Sequence, residues 1–183
     1  MNNTKSKITS AVFEWVKPML FALALLALIM ISGFRVVTVQ GASMDTTLES
    51  GEKVITTNFM YTPKSGDIVV ISKGEHHDSP IIKRVIAVEG QRIELDYDND
   101  KIYVDGKELN EPYLKCSTFG GRCADYNIPS VVPEGKLFVL GDNRGVSLDS
   151  RSSEIGLIDK ENVVGKAHFA VFPFDRFGGL ESQ

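Results

Sequence analysis

The first pattern along the chain is a block: the seventeen residues 18–34 carry no charge, and the apolar character continues past Arg35 through Val36, Val37 and Val39. That length is the short end of a transmembrane helix. With Lys17 and Arg35 reaching the two interfaces, the span extends to about 20 residues centred near Leu26. Lys5, Lys7 and Lys17 precede the block and only Arg35 follows it closely, which puts the amino end inside. The expected organisation is a cytoplasmic segment 1–17, a transmembrane anchor 18–38 and an extracytoplasmic domain 39–183. A cleaved secretory peptide is the alternative, with Val39-Gln40-Gly41 as a weak small-residue site, but the apolar run exceeds the usual 7–15-residue core of such peptides.

Beyond the block the rhythm shortens to strands and turns. Short β-branched segments at 53–55 and 67–72, a longer one at 81–88, and further ones at 91–95, 101–104, 107–109, 136–140 and 163–172 are separated by turn residues such as Ser65-Gly66 and Asp105-Gly106. Helical periodicity is nearly absent, with one turn expected at 159–162. The predicted fold is mainly β, an antiparallel barrel or paired sheets behind one N-terminal transmembrane helix. About 150 residues outside the membrane bury a core without metal or disulfide staples.

Charge narrows the classes of partner. Twenty basic residues against twenty-four acidic ones, net −4, give no field and no basic run suited to nucleic acid. Cys116 and Cys123 both lie in the outward part and close a short loop, which outside the cell reads as a disulfide.

Seven residues after the apolar block stands Gly41-Ala42-Ser43-Met44-Asp45-Thr46-Thr47-Leu48. A serine hydroxyl is a poor nucleophile until a base takes its proton. His76 and His77 sit in a polar loop and read as solvated, and His168 alternates within a late strand and reads as a satisfied strand residue. A metal site from His76, His77 and Asp78 lacks ligand spacing elsewhere. The segment 81–88 is more informative. As a strand it places Ile81, Lys83, Val85 and Ala87 on one face and Ile82, Arg84, Ile86 and Val88 on the other. Each face holds one cation among aliphatic residues. Burial disfavours the charged form, so Lys83 is a candidate general base, whereas an arginine stays charged and needs a carboxylate. After the apolar strand 136–140, Asp142, Asn143, Arg144, Ser147, Asp149, Ser150 and Arg151 concentrate charges and hydroxyls suited to fixing a site.

Ser43-Met44 with Thr47-Leu48, Gly66-Asp67-Ile68-Val69, Lys83-Arg84-Val85-Ile86, and Gly141-Asp142-Asn143-Arg144 with Ser147 and Asp149-Ser150-Arg151 resemble, in order, the successive motifs of bacterial type I signal peptidases. The resemblance covers nearly the whole chain and implies coiled antiparallel sheets with a barrel-like catalytic core. Its compact length and single span are similar to the Gram-positive members. It implies Ser43 as nucleophile, Lys83 as general base, Ser147 orienting the lysine amine, Asp149 and Arg151 as a supporting pair, and Asp142 paired with Arg84. Met44, Leu48, Ile81 and Ile82 match positions lining the pockets that read the residues before the cut. The implied substrates are preproteins carrying Ala-x-Ala signal peptides, met beside membrane lipid and the secretion translocon, with no metal or cofactor. The chain departs from the family pattern at Gly41, Thr46, Ala87, Glu89, Gln91 and Val146, none of which removes a catalytic group. A self-cleaving Ser–Lys protease of the repressor type is argued against by the membrane block. A catalytically silent anchored β-domain is argued against by the retention of both Ser43 and Lys83.

Overall fold

The computed structural model describes residues 2–31 (backbone only for 2–13 and 29–31), 33–45, 47–72, 79–114, 116–120 and 124–180. The chain divides into two units, Met1–Phe34 and Arg35–Gln183. The first is a single helix, α1 (Asn2–Ile31), which contains Pro18. Its described side chains, Trp15, Phe21 and Leu28 among them, are largely exposed. Among the described residues no helix is long and apolar enough to cross a membrane, so the expected anchor is not shown. One boundary is corrected outright. Residues 35–38, assigned above to the anchor, form a strand, β1 (Arg35–Thr38), in the second unit. Its β-branched valines suit a sheet as well as they suit lipid, and the strand's backbone groups pair antiparallel with residues 53–56.

The second unit is all antiparallel. After β1 come β2 (Lys53–Thr57), β3 (Ile68–Ile71), β4 (Ile81–Val88), β5 (Ile93–Asp96), β6 (Lys101–Val104), β7 (Lys107–Glu108), β8 (Lys136–Leu140), β9 (Ile158–Asp159), β10 (Val163–Phe172) and β11 (Gly178–Gly179). The main sheet runs β1-β2-β10-β3-β4-β8-β9, with β11 added on β10, and β5-β6-β7 make a separate three-stranded sheet. The helical turn expected at 159–162 is a 3-10 turn, Lys160–Asn162. Register shifts in β10, at Val163/Gly165, Ala167/Phe169 and Ala170/Phe172, and in β4 at Val85/Ala87, let the two longest strands bend. The sheet therefore curls as a half-barrel and stays open between β1 and β9 rather than closing.

The uninterrupted apolar runs reflect strands buried on both faces. In β3, Ile68 and Val70 join a cluster with Met44, Leu48, Val54, Ile82 and Ala167, while Val69 and Ile71 join Val85, Leu137, Val139 and Ile158 on the other side. In β8, Leu137 and Val139 face the second cluster, and Phe138 and Leu140 face a third with Ile86, Ala87, Ile93 and Ile102. That third cluster corrects the two-face reading of 81–88. Strict alternation holds from Ile81 to Val85, after which the bulge turns Ile86 and Ala87 into one cluster.

Candidate active site

Ser43 lies in a compact turn between β1 and β2. The amides of Thr47 and Leu48 both donate to the Met44 carbonyl, at 3.0 and 2.8 Å, and the amide of Asp45 donates to the Ala42 carbonyl at 3.2 Å. The turn is anchored from below, because Met44 and Leu48 are fully buried in the first core cluster with Ile82. Gly41, at the turn's entry, has φ +83°, a conformation that L side chains rarely adopt. A serine there would be strained in this backbone. Thr46 lies outside the described residues.

From the other side the turn is held by the loop after β8. The Asn143 amide donates to the Ser43 carbonyl at 3.0 Å, and the Asn143 side-chain amide donates to the Ala42 carbonyl at 3.0 Å. Gly141 is the closest approach: a Cβ there would overlap both the Ser43 carbonyl oxygen and Ser147 Oγ. The ladder between β4 and β8 brings the lysine to the same place. Arg84 stands opposite Leu140, so the next antiparallel step sets Lys83 against Gly141. Ser43, Ser147 and Lys83 thus gather around one glycine.

Lys83 is 3% exposed. Its pKa is lowered from 10.5 to about 8, chiefly by burial, which with Arg151 outweighs the upward pull of Asp149 and Asp142. Ser147 Oγ is buried and, among the described residues, has no hydrogen-bond partner. An orphaned buried hydroxyl is uncommon in a folded interior.

Around these groups the charges are paired. Arg84 donates from Nε and Nη2 to the two Asp142 oxygens at 2.9 and 2.7 Å, and from Nη1 to the Gly66 carbonyl at 3.0 Å. The guanidinium also stacks on the Tyr113 ring, 3.9 Å from its centre. Asp142 Oδ2 additionally accepts the Thr47 hydroxyl at 2.5 Å. Asp149 pairs with Arg151 at 2.9 and 3.0 Å and accepts the Gly141 amide at 3.1 Å. Arg144, fully buried, donates to the Gly141 and Thr118 carbonyls and pairs with Glu111.

The profile of a family described as signal peptidase, peptidase S26, matches residues 12–172 of this chain. The chain belongs to the peptidase S26 signal peptidases. It is similar to signal peptidase I of Bacillus licheniformis, 38% identical over 94% of this chain and 96% of that one. It is also similar to signal peptidase I P of Bacillus subtilis subsp. natto (38% identical, 96% and 97%) and to signal peptidase IB of Staphylococcus aureus strain COL (37%, 91% and 92%). A solved signal peptidase I from Enterococcus faecalis is 30% identical and aligns with 58% of this chain and 97% of its own, with a TM-score of 0.46. Membership makes the chain a serine peptidase, a hydrolase.

In this signal peptidase the sequence-predicted residues fall into two sets. Ser43, Lys83, Arg84, Asp142, Ser147, Asp149 and Arg151 surround Gly141, the last four from one loop. Of the four apolar residues assigned to pockets, Met44, Leu48 and Ile82 share one cluster, whereas Ile81 packs against the second cluster on the opposite face of β4. His168 Nε2 meets Thr57 Oγ1 at 2.7 Å, and burial lowers its pKa. His76, His77 and Asp78 lie outside the described residues, as does Cys123; Cys116 is exposed. Sequence reasoning gave no role to Thr47, Asn143, Glu111 or Tyr113. The first two stand inside the quoted motifs, but Glu111 and Tyr113 lie in a loop with no signal beyond one acidic and one aromatic residue.

Substituting Gly141 tests this convergence. Gly141→Ala is expected to cost about 1–3 kcal/mol of stability, because the methyl group must displace Ser147 or the Ser43 carbonyl. It should also suppress cleavage more than the stability loss explains. Thermal melts beside cleavage rates on the same preparation check it, and wild-type activity in Gly141→Ala would mean that the three groups do not meet here.

Proposed function

We propose that this signal peptidase cleaves signal peptides from exported preproteins with Ser43 as nucleophile and Lys83 as general base. The observation that carries the reading is the near-complete burial of Lys83, its amine pushed down to about 8, across the ladder from the glycine that touches both Ser43 and Ser147. At pH 7 roughly a tenth of such lysines carry the free amine, against a few in ten thousand at the ordinary value.

In the first step the neutral Lys83 amine takes the Ser43 hydroxyl proton while Oγ attacks the carbonyl before the cut. The resulting ammonium gives that proton to the leaving amine, the new N-terminus of the mature protein. An ester on Ser43 remains. Lys83, neutral again, removes a proton from water, the hydroxide adds to the ester, and the proton returns to Ser43 as the signal peptide leaves. Ser147, whose buried hydroxyl has no hydrogen-bond partner among the described residues, orients the amine through both steps. Arg84–Asp142 and Asp149–Arg151 hold the surrounding loops and do not exchange protons with substrate.

Specificity for Ala-x-Ala ends is read by apolar side chains packed beside Ser43. Met44, Leu48, Ile81 and Ile82 match the family's pocket positions, Met44 and Leu48 packing with Ile82 in the cluster under the Ser43 turn and Ile81 lying on the Lys83 face of β4. The uncharged block 18–34 supports anchoring in the cytoplasmic membrane with the catalytic unit outside, beside lipid and the translocon from which preproteins emerge.

The deciding experiment is cleavage of a model preprotein by the purified full chain, with the cut located by mass spectrometry. Cleavage after the small residue of an Ala-x-Ala end is expected, and its loss in Ser43→Ala. Replacing that small residue by Phe should reduce kcat/KM by at least about tenfold, since overfilling a close-packed site costs about 1–3 kcal/mol before any misalignment. Equal turnover of Ala and Phe substrates would remove the pocket assignment, and no cleavage at all would remove the function.

A further inference from the structure

We propose that Thr47 is a positioning residue for catalysis: its hydroxyl, acting through Asp142 and Arg84, fixes the loop that carries Ser43 against the strand that carries Lys83. The inference rests on the Ser43–Lys83 reading and gives it a residue which that reading does not use.

The Ser43 turn is tied down at two ends by different means. Its first half hangs on Asn143, through the two hydrogen bonds to the Ala42 and Ser43 carbonyls. Two neighbouring bonds to one residue make a hinge, about which the turn can still rock. Its second half is held by the apolar burial of Met44 and Leu48, which is non-directional, and, among the described residues, by a directional contact to another segment, the Thr47 hydroxyl on Asp142 Oδ2 at 2.5 Å. That same oxygen receives Arg84 Nη2 at 2.7 Å. One buried carboxylate oxygen is therefore shared between a hydroxyl four residues after the nucleophile and a guanidinium one residue after the base.

The components suit a fixed spacer. Asp142 is held on two prongs by Arg84, which is itself pinned by the Gly66 carbonyl and the Tyr113 ring, so the carboxylate has little freedom. A hydroxyl donating to an ionised carboxylate is about twice as strong as a neutral hydrogen bond. Valine has the shape of threonine without the donor, so Thr47→Val removes this registration and little else. A displacement of reacting atoms by about 1 Å costs on the order of 10²-fold in rate.

The test compares wild type, Thr47→Val and Thr47→Ser as full chains on a preprotein substrate. Thr47→Val is expected to lose about 10- to 100-fold in kcat with KM within about twofold, and Thr47→Ser to recover most of that loss. The rising limb of the pH profile should stay near 8, because position and not the charge around Lys83 has changed. Amide hydrogen exchange over residues 44–48 should speed up about tenfold or more in Thr47→Val, with the rest of the β unit unchanged. Wild-type kcat in Thr47→Val, an equal loss in Thr47→Ser, or a displaced pH limb each overturns the proposal while leaving the peptidase reading intact. A wild-type chain that does not cleave, or a Ser43→Ala chain that does, sinks the peptidase reading instead. In that case the exchange rates still decide whether Thr47 fixes the turn. If Thr47→Val fails to fold, Thr47→Ser decides alone: a kcat loss beyond about tenfold assigns the role to the methyl group and overturns the proposal, and near-wild-type kcat supports the hydroxyl.

Discussion

Lys83→Met is expected to abolish cleavage and at the same time to make the protein more stable at neutral pH. The physical reason is the burial that lowers the amine from 10.5 to about 8. Below pH 8 the lysine is charged both folded and unfolded, and the folded state bears the full cost of an ammonium in an apolar setting. Between about 8 and 10.5 the unfolded chain binds the extra proton, so stability rises with pH across that window and the penalty is gone above it. A shift of this size corresponds to about 3 kcal/mol. Methionine, of similar length and without the charge, removes the penalty, so its advantage should be largest near pH 6–7 and shrink toward pH 10. Denaturant unfolding of both proteins across that range measures it. A gap that does not narrow with pH would mean that Lys83 is not the group carrying the shift.

Activity should move in the opposite sense. Loss of a general base costs on the order of 10²- to 10⁴-fold, and Lys83→Arg should fail equally because a guanidinium stays protonated. In wild type, kcat/KM should climb with pH through a value near 8, where the buried Lys83 amine loses its proton. A limb centred near 6.5 would point to an imidazole and remove the lysine assignment. Functional residues held at a cost to stability are a common feature of enzymes.

Asp142→Ala is the second large effect. Arg84 and Asp142 are 2% and 0% exposed at their side chains, and Arg84 cannot shed its charge. Removing the carboxylate takes from a buried cation the group that holds it on two prongs, a loss of about 3–5 kcal/mol. It also frees the Thr47 hydroxyl. Replacing both charges, Arg84→Met with Asp142→Leu, should recover most of the stability and none of the activity, since the registry between the two loops does not return. Urea unfolding of the single and double variants checks this. A loss below about 1 kcal/mol in Asp142→Ala would mean that water reaches the pair.

How much of this was legible before folding depends on the range of the interaction. The strand at 81–88 was legible because a period of two is a local property, and it alone placed Lys83 between Ile81 and Val85, where desolvation follows. The bulge after Val85 was not, since a register shift is a relation between β4 and β8. Pairing of Arg84 with some carboxylate follows from the inability of arginine to deprotonate. That the carboxylate is Asp142 came from resemblance, and that Thr47 shares it came from neither, the two residues being 95 positions apart. Glu111 reaches Arg144 across 33 positions from a loop without periodicity, so no local signal marks it.

Hydrophobicity read residue by residue also has a blind spot at 35–38. Arg35-Val36-Val37-Thr38 looks the same to a lipid tail as to a sheet, and only its hydrogen-bonded partner at 53–56 makes it a strand. The sequence by itself determined the strand-rich class, the order of the motifs and the identity of the two residues proposed to do chemistry, because those rest on side-chain type and near-neighbour pattern. The tertiary structure decided that the sheet curls open, that Gly141 is the point where two loops and a strand meet, and which oxygens each buried arginine holds. These depend on contacts between segments distant in the chain, whose geometry is set only when the apolar faces have packed.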